Sequence, residues 1–332
     1  MSVALARLSS QLLVEGRSPV EVVSHFGAMQ GQDFPGVITS IALRTQRRSR
    51  QDVIEAFNSG ALVRTWPQRG TLHVVGSDRV RDVLAVARER TFPGTVRRRE
   101  ALGIDEQVLE QARTIARDVV GDGITRKELA AAWESAGLVN QPGQVYHLIF
   151  HLSIEGLLVW GPMRGKEQLL VLLDQWVAPS AERPYEDTIA DIVTRYVTSH
   201  APTTRKDAAW WANIPVTAVD RALEGSRFVL KDGYWHKSDE SLASSRSIQV
   251  LPGFDEMILG YSDRSASVAD EHAVAICPGG NGVFKPTIMS AGRVIGTWQK
   301  TGLQTTYFAE PTTALDRRVQ KALRKLPLSG GS

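Results

Sequence analysis

Two stretches of this chain are near-copies of one another. ITRKELAAAW (124–133) and TTRKDAAWW (203–211) each open with Thr-Arg-Lys and an acid, run through small residues and reach a tryptophan. Each sits in a similar setting. After the first copy, QVYHLIFHLSIEG (144–156) reads as a helix. LLVWGPMRGKEQLLVLL (157–173) then reads as a hairpin around Gly161-Pro162 and Arg164-Gly165. The second copy follows a helix at PYEDTIADIVTRYVTSH (184–200). It leads into another helix at PVTAVDRALEG (215–225) and a hairpin at FVLKDGYWHK (228–237) turning on Asp232-Gly233. Helices closed by a hairpin describe a winged helix-turn-helix unit, and the recurrence predicts tandem copies of it.

The N-terminal part fits the same scheme. Apolar residues recur at helical spacing over 3–14, 19–28 (started by Ser18-Pro19), 36–46 and 51–60. ALVRTWPQRGTLHVVG (61–76) then changes to a strand period around a Pro-Gln-Arg-Gly turn, and a helix-rich bridge covers 77–122. From SIQVLPGFDEMILGYSDRS onward the chain is rich in β-branched residues, glycine and turns. The expected fold is therefore α+β, with winged units at 1–100, 101–180 and 181–244, a small β-rich element at 245–326 and a tail at 327–332.

The 332 residues are 42% hydrophobic and 23% charged, enough apolar material for real cores. No stretch nears the roughly 18 apolar residues that would span a bilayer, and the first residues lack a signal-peptide pattern, so a cytoplasmic, nucleoid-associated protein is expected. The single cysteine, Cys277, excludes an internal disulfide and a cysteine-rich zinc site. Net charge is +3, but residues 1–100 hold 15 Arg, no Lys and 9 acids, a net +6, leaving −3 for the remainder. Clusters at RRSR (47–50) and TVRRRE (95–100) supply much of the excess. Arginine's planar fork suits phosphate, although a solvated helix end gives the same pattern.

One link within this basic region stands out. In MQGQDF (29–34), Gln30 and Gln32 flank Gly31 between two helical segments. Side chains two residues apart share a face only in extended backbone and diverge by roughly 200° in a helix, so a non-helical link is expected. Asp33 either caps the following helix or offers a base. From the residues alone, a polar connection whose amides satisfy nearby backbone is the plainer reading.

Four motifs in order, MQGQDF, RTWPQRGTLH, LPGFDEMILGYSDRS and GGNGVFKPTIMSAGRVIGTW, resemble signatures of winged-helix proteins of the AlkZ-like DNA glycosylase family, related to the YcaQ-like proteins. The resemblance runs from about residue 5 to about 310. It implies tandem winged helices and a C-terminal β element arranged as a C-shaped clamp on duplex DNA, and monofunctional hydrolysis of the N-glycosidic bond of N7-alkylated guanine, cross-linked guanine included. The family's catalytic pair, Q-x-Q or Q-x-D, falls here on Gln30 and Gln32, with Gly31 where a small or apolar residue is more usual.

The chemistry suits two amides. N7 alkylation makes the purine cationic, so it departs neutral without prior protonation. The enzyme then mainly positions water and aims dipoles at an oxocarbenium-like sugar. A strong base, worth about 10²–10⁴-fold in other hydrolases, is dispensable for so labile a bond. The expected partner is double-stranded DNA carrying alkylated or cross-linked purines, with no cofactor, metal, membrane or obligate protein partner. Expected DNA contacts are Arg44, Arg47, Arg48 and Arg50, then Arg64, Thr65, Arg69, Thr71 and His73 around the first wing, and Arg97, Arg98 and Arg99. The alternative is a winged-helix regulator or architectural factor without catalysis.

Other motifs carry blander expectations. HLIFH (147–151) has zinc-like spacing but lacks a third ligand, so its histidines are expected to face a core or the next unit. Asp255, Glu256, Asp263 and Arg264 are expected to fix the β element. GGNG (279–282) is expected to be a hairpin turn or a loop probing the DNA groove.

Overall fold

The computed structural model describes residues 2–13, 16–181, 183–238, 243–244 and 246–328. The expected end of the first helix at residue 14, and the tail from 329 onward, lie outside the described residues. In chain order the elements are α1 (Val3–Ser10), α2 (Pro19–Phe26), β1 (Met29–Gln30), α3 (Phe34–Leu43), α4 (Arg50–Asn58), β2 (Leu62–Gln68) and β3 (Thr71–Gly76). Then come α5 (Val80–Ala101), α6 (Glu106–Val119), α7 (Arg126–Ser135), α8 (Gln144–Glu155), β4 (Leu158–Arg164), β5 (Glu167–Leu172) and α9 (Leu173–Trp176). The remainder holds α10 (Tyr185–His200), α11 (Arg205–Ala212), α12 (Val216–Leu223), β6 (Val229–Lys231), β7 (Tyr234–His236), β8 (Ile248–Leu251) and α13 (Glu256–Leu259). It closes with α14 (Ala273–Ile276), β9 (Thr287–Ser290), β10 (Arg293–Trp298), β11 (Thr305–Tyr307) and α15 (Thr313–Leu323). The class is α+β with antiparallel pairing, as the sequence implies.

The near-copies are the same device used twice. Thr125 and Thr204 each accept the backbone N–H three residues on, and Glu128 and Asp207 reach back to the cap N–H. These are capping boxes, and Ser18 with Glu21 forms a third ahead of α2.

Two compact units result: residues 54–189 form one, and residues 1–53 with 190–332 form the other. Compactness thus divides the chain differently from the recurrence of helical segments and hairpins.

In the unit 54–189, four strands pair in the order β3-β2-β4-β5, and the two wings meet through Arg64 opposite Trp160. Each wing carries a register shift at its proline, between Thr65 and Gln68 and between Trp160 and Met163. Proline cannot donate to a ladder, so the strand bulges there. The first turn is therefore Arg69-Gly70, both at positive φ, and not the wider Pro-Gln-Arg-Gly segment. In the second wing, Gly161-Pro162 bends the strand while the turn follows Arg164. The core gathers Trp66, Leu109, Trp133, Leu148, Leu152 and Trp160. His151 stacks on Phe92 at 4.5 Å between ring centroids, a packing role.

In the other unit, β11-β10-β9-β8 form an antiparallel sheet and α15 packs on β8. Val250, Ile288, Trp298, Val319 and Leu323 make the core between them. The sequence reading anticipated the sheet but not α15. Its β-hairpin turns at Ala291-Gly292, whereas GGNG follows α14, leads into β9 and turns no hairpin. Gly292 sits at φ 79°, where a Cβ would lie 2.4 Å from the Ala4 carbonyl oxygen of α1. The sheet is therefore seated directly on the N-terminal helix. Gly292→Ala should cost about 2–3 kcal/mol or more, combining left-handed backbone strain with that clash, read as a lowered denaturant midpoint.

Candidate active site and DNA-facing residues

β1 and its sequel run between α2 and α3, so the QGQ link is non-helical. Met29, Gln30 and Gly31 are buried while Gln32 is exposed. The two amides are thus presented unequally. Gln30, 6% exposed, turns its Oε1 back onto the link, accepting the Gly31 N–H at 2.9 Å and the Gln32 N–H at 3.4 Å. That is the local satisfaction expected of a polar connection, and it also fixes where the Gln32 side chain starts. Asp33 stands at the N-cap of α3 without a side-chain cap bond; its carboxylate lies over Gly36, where a Cβ would come within 2.4 Å of Oδ2.

The link is held from behind by a carboxylate whose role the sequence reading missed. Glu256, 1% exposed, accepts the Gln30 N–H on Oε1 at 2.6 Å and the Trp211 indole N–H on Oε2 at 3.2 Å. His200 Nε2 lies 3.5 Å from the same Oε2. Gly260 lets the ring approach, since a Cβ there would sit 2.3 Å from His200 Nε2. Burial pushes the His200 imidazole below its ordinary pKa, against the raising effect of Glu256. His25, donating to the Ser10 carbonyl at 2.7 Å, is pushed down by burial to about 4. Gln11 Nε2 donates to the Glu256 carbonyl and to Tyr261 Oη, both at 3.3 Å, and Tyr261 donates to the His200 carbonyl at 3.0 Å.

Arg44 belongs to this network and not to a DNA face, contrary to expectation. It is 0% exposed and grips Asp255 with both terminal nitrogens, at 2.9 and 2.8 Å. It also donates to the Gln11 carbonyl and Oε1, each at 3.0 Å, and to Ser40. Asp255 receives the Ser40 hydroxyl and the Met257 N–H as well. The adjacent carboxylates Asp255 and Glu256 thus anchor α13 to the N-terminal helices, a wider job than fixing the β element.

The other expected DNA contacts separate by burial. Arg47 and Arg48 are exposed, Arg47 ranging 3.5 Å from Asp52. Arg50 is half-buried and donates to the Pro35 carbonyl at 2.9 Å and to Thr39 Oγ1. In the first wing, Arg64, Thr65 and His73 are buried, so they line the hairpin instead of its tip. Burial pushes the Arg64 guanidinium down to about 9, and it lies 5.2 Å from the Trp160 ring centre. His73 Nδ1 bonds the Thr71 carbonyl at 2.9 Å, with Arg69 3.4 Å from its Nε2. Only Arg69 and Thr71 reach the tip, half-buried. On α5, Arg97 and Arg98 are exposed and Arg99 is half-buried.

Removing Arg44 would strand a buried carboxylate. Arg44→Ala should lose about 3–5 kcal/mol, whereas Arg44→Met with Asp255→Leu should recover much of that loss in urea titrations. The buried imidazoles add a pH dependence. Both folded pKa values lie below the unfolded value of about 6.5, so the stabilisation is complete above that pH and falls away below it, for His25 as pH falls toward about 4. The melting temperature should fall across this window, and His25→Gln should make the fall shallower.

Comparison with known proteins places these features. The sequence model of the family described as DNA glycosylase AlkZ-like matches residues 23–325. The interstrand DNA cross-link repair glycosylase of Streptomyces sahachiroi is 25% identical over 324 residues, covering 88% of this chain and 85% of that protein. The solved structure of the Streptomyces sahachiroi DNA glycosylase AlkZ is similar with a TM-score of 0.80 and 21% identity, over 98% of this chain and 97% of that one. At that identity the structural likeness speaks for the fold.

Proposed function

Because the chain belongs to the AlkZ-like family of DNA glycosylases, hydrolases of the N-glycosidic bond, we propose that it releases N7-alkylated purines from duplex DNA, bulky adducts and cross-linked guanines among them, at the QGQ link. The observation that carries the reading is the pairing of an exposed Gln32 with a backbone clamped by Glu256. A carboxamide is unreactive, so its value lies in placement, and this one projects from a link fixed on its buried side.

The two glutamines divide the work. Gln32 offers its carboxamide oxygen to the attacking water and to the positive charge growing on the sugar. Gln30 acts as a brace, its own oxygen spent on the Gly31 and Gln32 N–H groups. The leaving base takes its bonding electrons and departs neutral because alkylation had already made it cationic. Water adds to the anomeric carbon and sheds its proton to solvent, so no lysine or N-terminal amine is needed and the reaction is monofunctional. No helix among the described residues is long and apolar enough to cross a membrane. The exposed position of Gln32 suits a guanine tethered to its partner strand, which cannot rotate freely into a deep pocket. That the Streptomyces sahachiroi relative is an interstrand cross-link repair glycosylase supports extending the reading to such lesions. Arg47, Arg48, Arg69, Thr71, Arg97 and Arg98 are proposed phosphate contacts, with Arg50 and Arg99 at their margins.

The reading is tested with duplexes carrying N7-methylguanine, a bulky N7 adduct or a cross-link, followed as alkali-sensitive abasic sites in single turnovers. Gln32→Ala should slow release about 10²–10³-fold with duplex affinity little changed. Gln30→Ala and Glu256→Ala should also slow it, and Glu256→Gln, which keeps an acceptor for the Gln30 N–H, less so. Base release at the parental rate by Gln30→Ala with Gln32→Ala would return the link to an ordinary polar connection.

A further inference from the structure

A second basic feature lies far from the QGQ link in sequence. Arg48, Arg246, Arg318, Lys321 and Lys325 line one groove of about 280 Å³ in the unit formed by residues 1–53 and 190–332. All five are exposed, and no described carboxylate lines the groove. Between the cations the groove is lined by Leu43, Ile248, Val250, Ala322 and Leu326, with Gln249 the one uncharged polar side chain. Two of the cations, Arg318 and Lys321, come from α15 and Lys325 lies just past its end; the helix's one carboxylate, Asp316, is engaged elsewhere by the Tyr307 hydroxyl at 2.8 Å. Arg318 donates to the Arg246 carbonyl, which ties the helix to the approach of β8.

We propose that this groove is a second docking surface for the sugar-phosphate backbone of duplex DNA, extending the footprint beyond the lesion. Three arguments select that occupant. Arg318 and Lys321 stand one turn apart on α15, and Lys325 lies in the turn just past its end, so three cations follow one another along one side of the groove. A DNA strand presents one phosphate per roughly 3.4 Å of axis, so a run of closely spaced cations can meet successive phosphates. The Gln249 amide nitrogen is already engaged by the Leu13 carbonyl and Ser247 Oγ, which leaves charge as the means of recognition and makes the contact independent of sequence. Finally, Arg48 joins the run to the arginine-rich N-terminal segment, so two basic stretches at opposite ends of the sequence share one surface.

The groove stands on the family's action on DNA and not on the assignment of Gln30 and Gln32, so it is tested by binding alone. Affinity for an undamaged duplex is measured against salt concentration for the full chain and for Lys321→Ala with Lys325→Ala. Each lost phosphate contact removes about 0.9 from the slope of log K against log salt, so the slope should drop by nearly two. Lys321→Glu with Lys325→Glu should weaken binding further, without moving the melting temperature of these exposed positions. The same variants are titrated with inorganic tripolyphosphate. An unchanged salt slope and duplex affinity would overturn the proposal, and so would loss of tripolyphosphate binding with duplex binding intact, which would mark a site for a small polyanion instead.

Discussion

Two adjacent carboxylates, Asp255 and Glu256, organise the region around the candidate site. Both are essentially withdrawn from water, and each is satisfied by a different partner class. Asp255 neutralises Arg44 in a two-pronged pair, a geometry that offsets the cost of burying both charges. Glu256 spends its oxygens on the Gln30 amide and the Trp211 indole. One short helical turn thereby fixes the end of α3 and the start of the QGQ link together. A carboxylate is a demanding anchor, because any displacement of its partners exposes an uncompensated charge. That demand is what makes the link rigid.

Rigidity matters because of the chemistry assigned to the site. An amide supplies no proton and no strong nucleophile, so its contribution rests on aimed dipoles held in place before the reaction begins. Glycine at position 31 would leave an unsupported link loose. Here Gln30 ties down the two following N–H groups, Glu256 ties down its own, and the freedom introduced by glycine is removed by hydrogen bonds. The same bonds that look like ordinary backbone satisfaction serve as preorganisation.

Much of the fold can be read from local chemistry. The capping boxes at Ser18, Thr125 and Thr204 mark helix starts, and the Arg-Gly and Asp-Gly pairs mark wing tips, because those preferences act within a few residues. α15 had a readable signal too, Thr312 followed by Leu315, Val319, Ala322 and Leu323 at helical spacing, but its dense basic residues resemble a solvated tail. The direction of a charge is a different matter. Arg44 and Arg48 sit in one basic run, and nothing local separates them; Asp255, 211 positions away, turns the first inward. Glu256 is likewise 226 positions from the link it supports. The QGQ pair is marked as a candidate by the family motif, while its hydrogen-bonded support is invisible without the fold. His73 and Thr65 show the same limit, since a wing's alternation does not say which of its faces is covered.

The discontinuity of the unit 1–53 with 190–332 has a consequence for how the protein is made. During synthesis from the N-terminus, residues 54–189 form a contiguous stretch that has all its own partners by the time the ribosome passes it. The QGQ segment does not. Its amide anchor and the counter-charge for Arg44 are translated more than 200 positions later, so the segment waits with a buried-type arginine still hydrated. Closing such a long loop is slow, although its entropic cost grows only logarithmically with length. The catalytic candidate should therefore be among the last parts of the chain to acquire its native geometry, and a nascent chain stalled before residue 255 would carry the motif without the site.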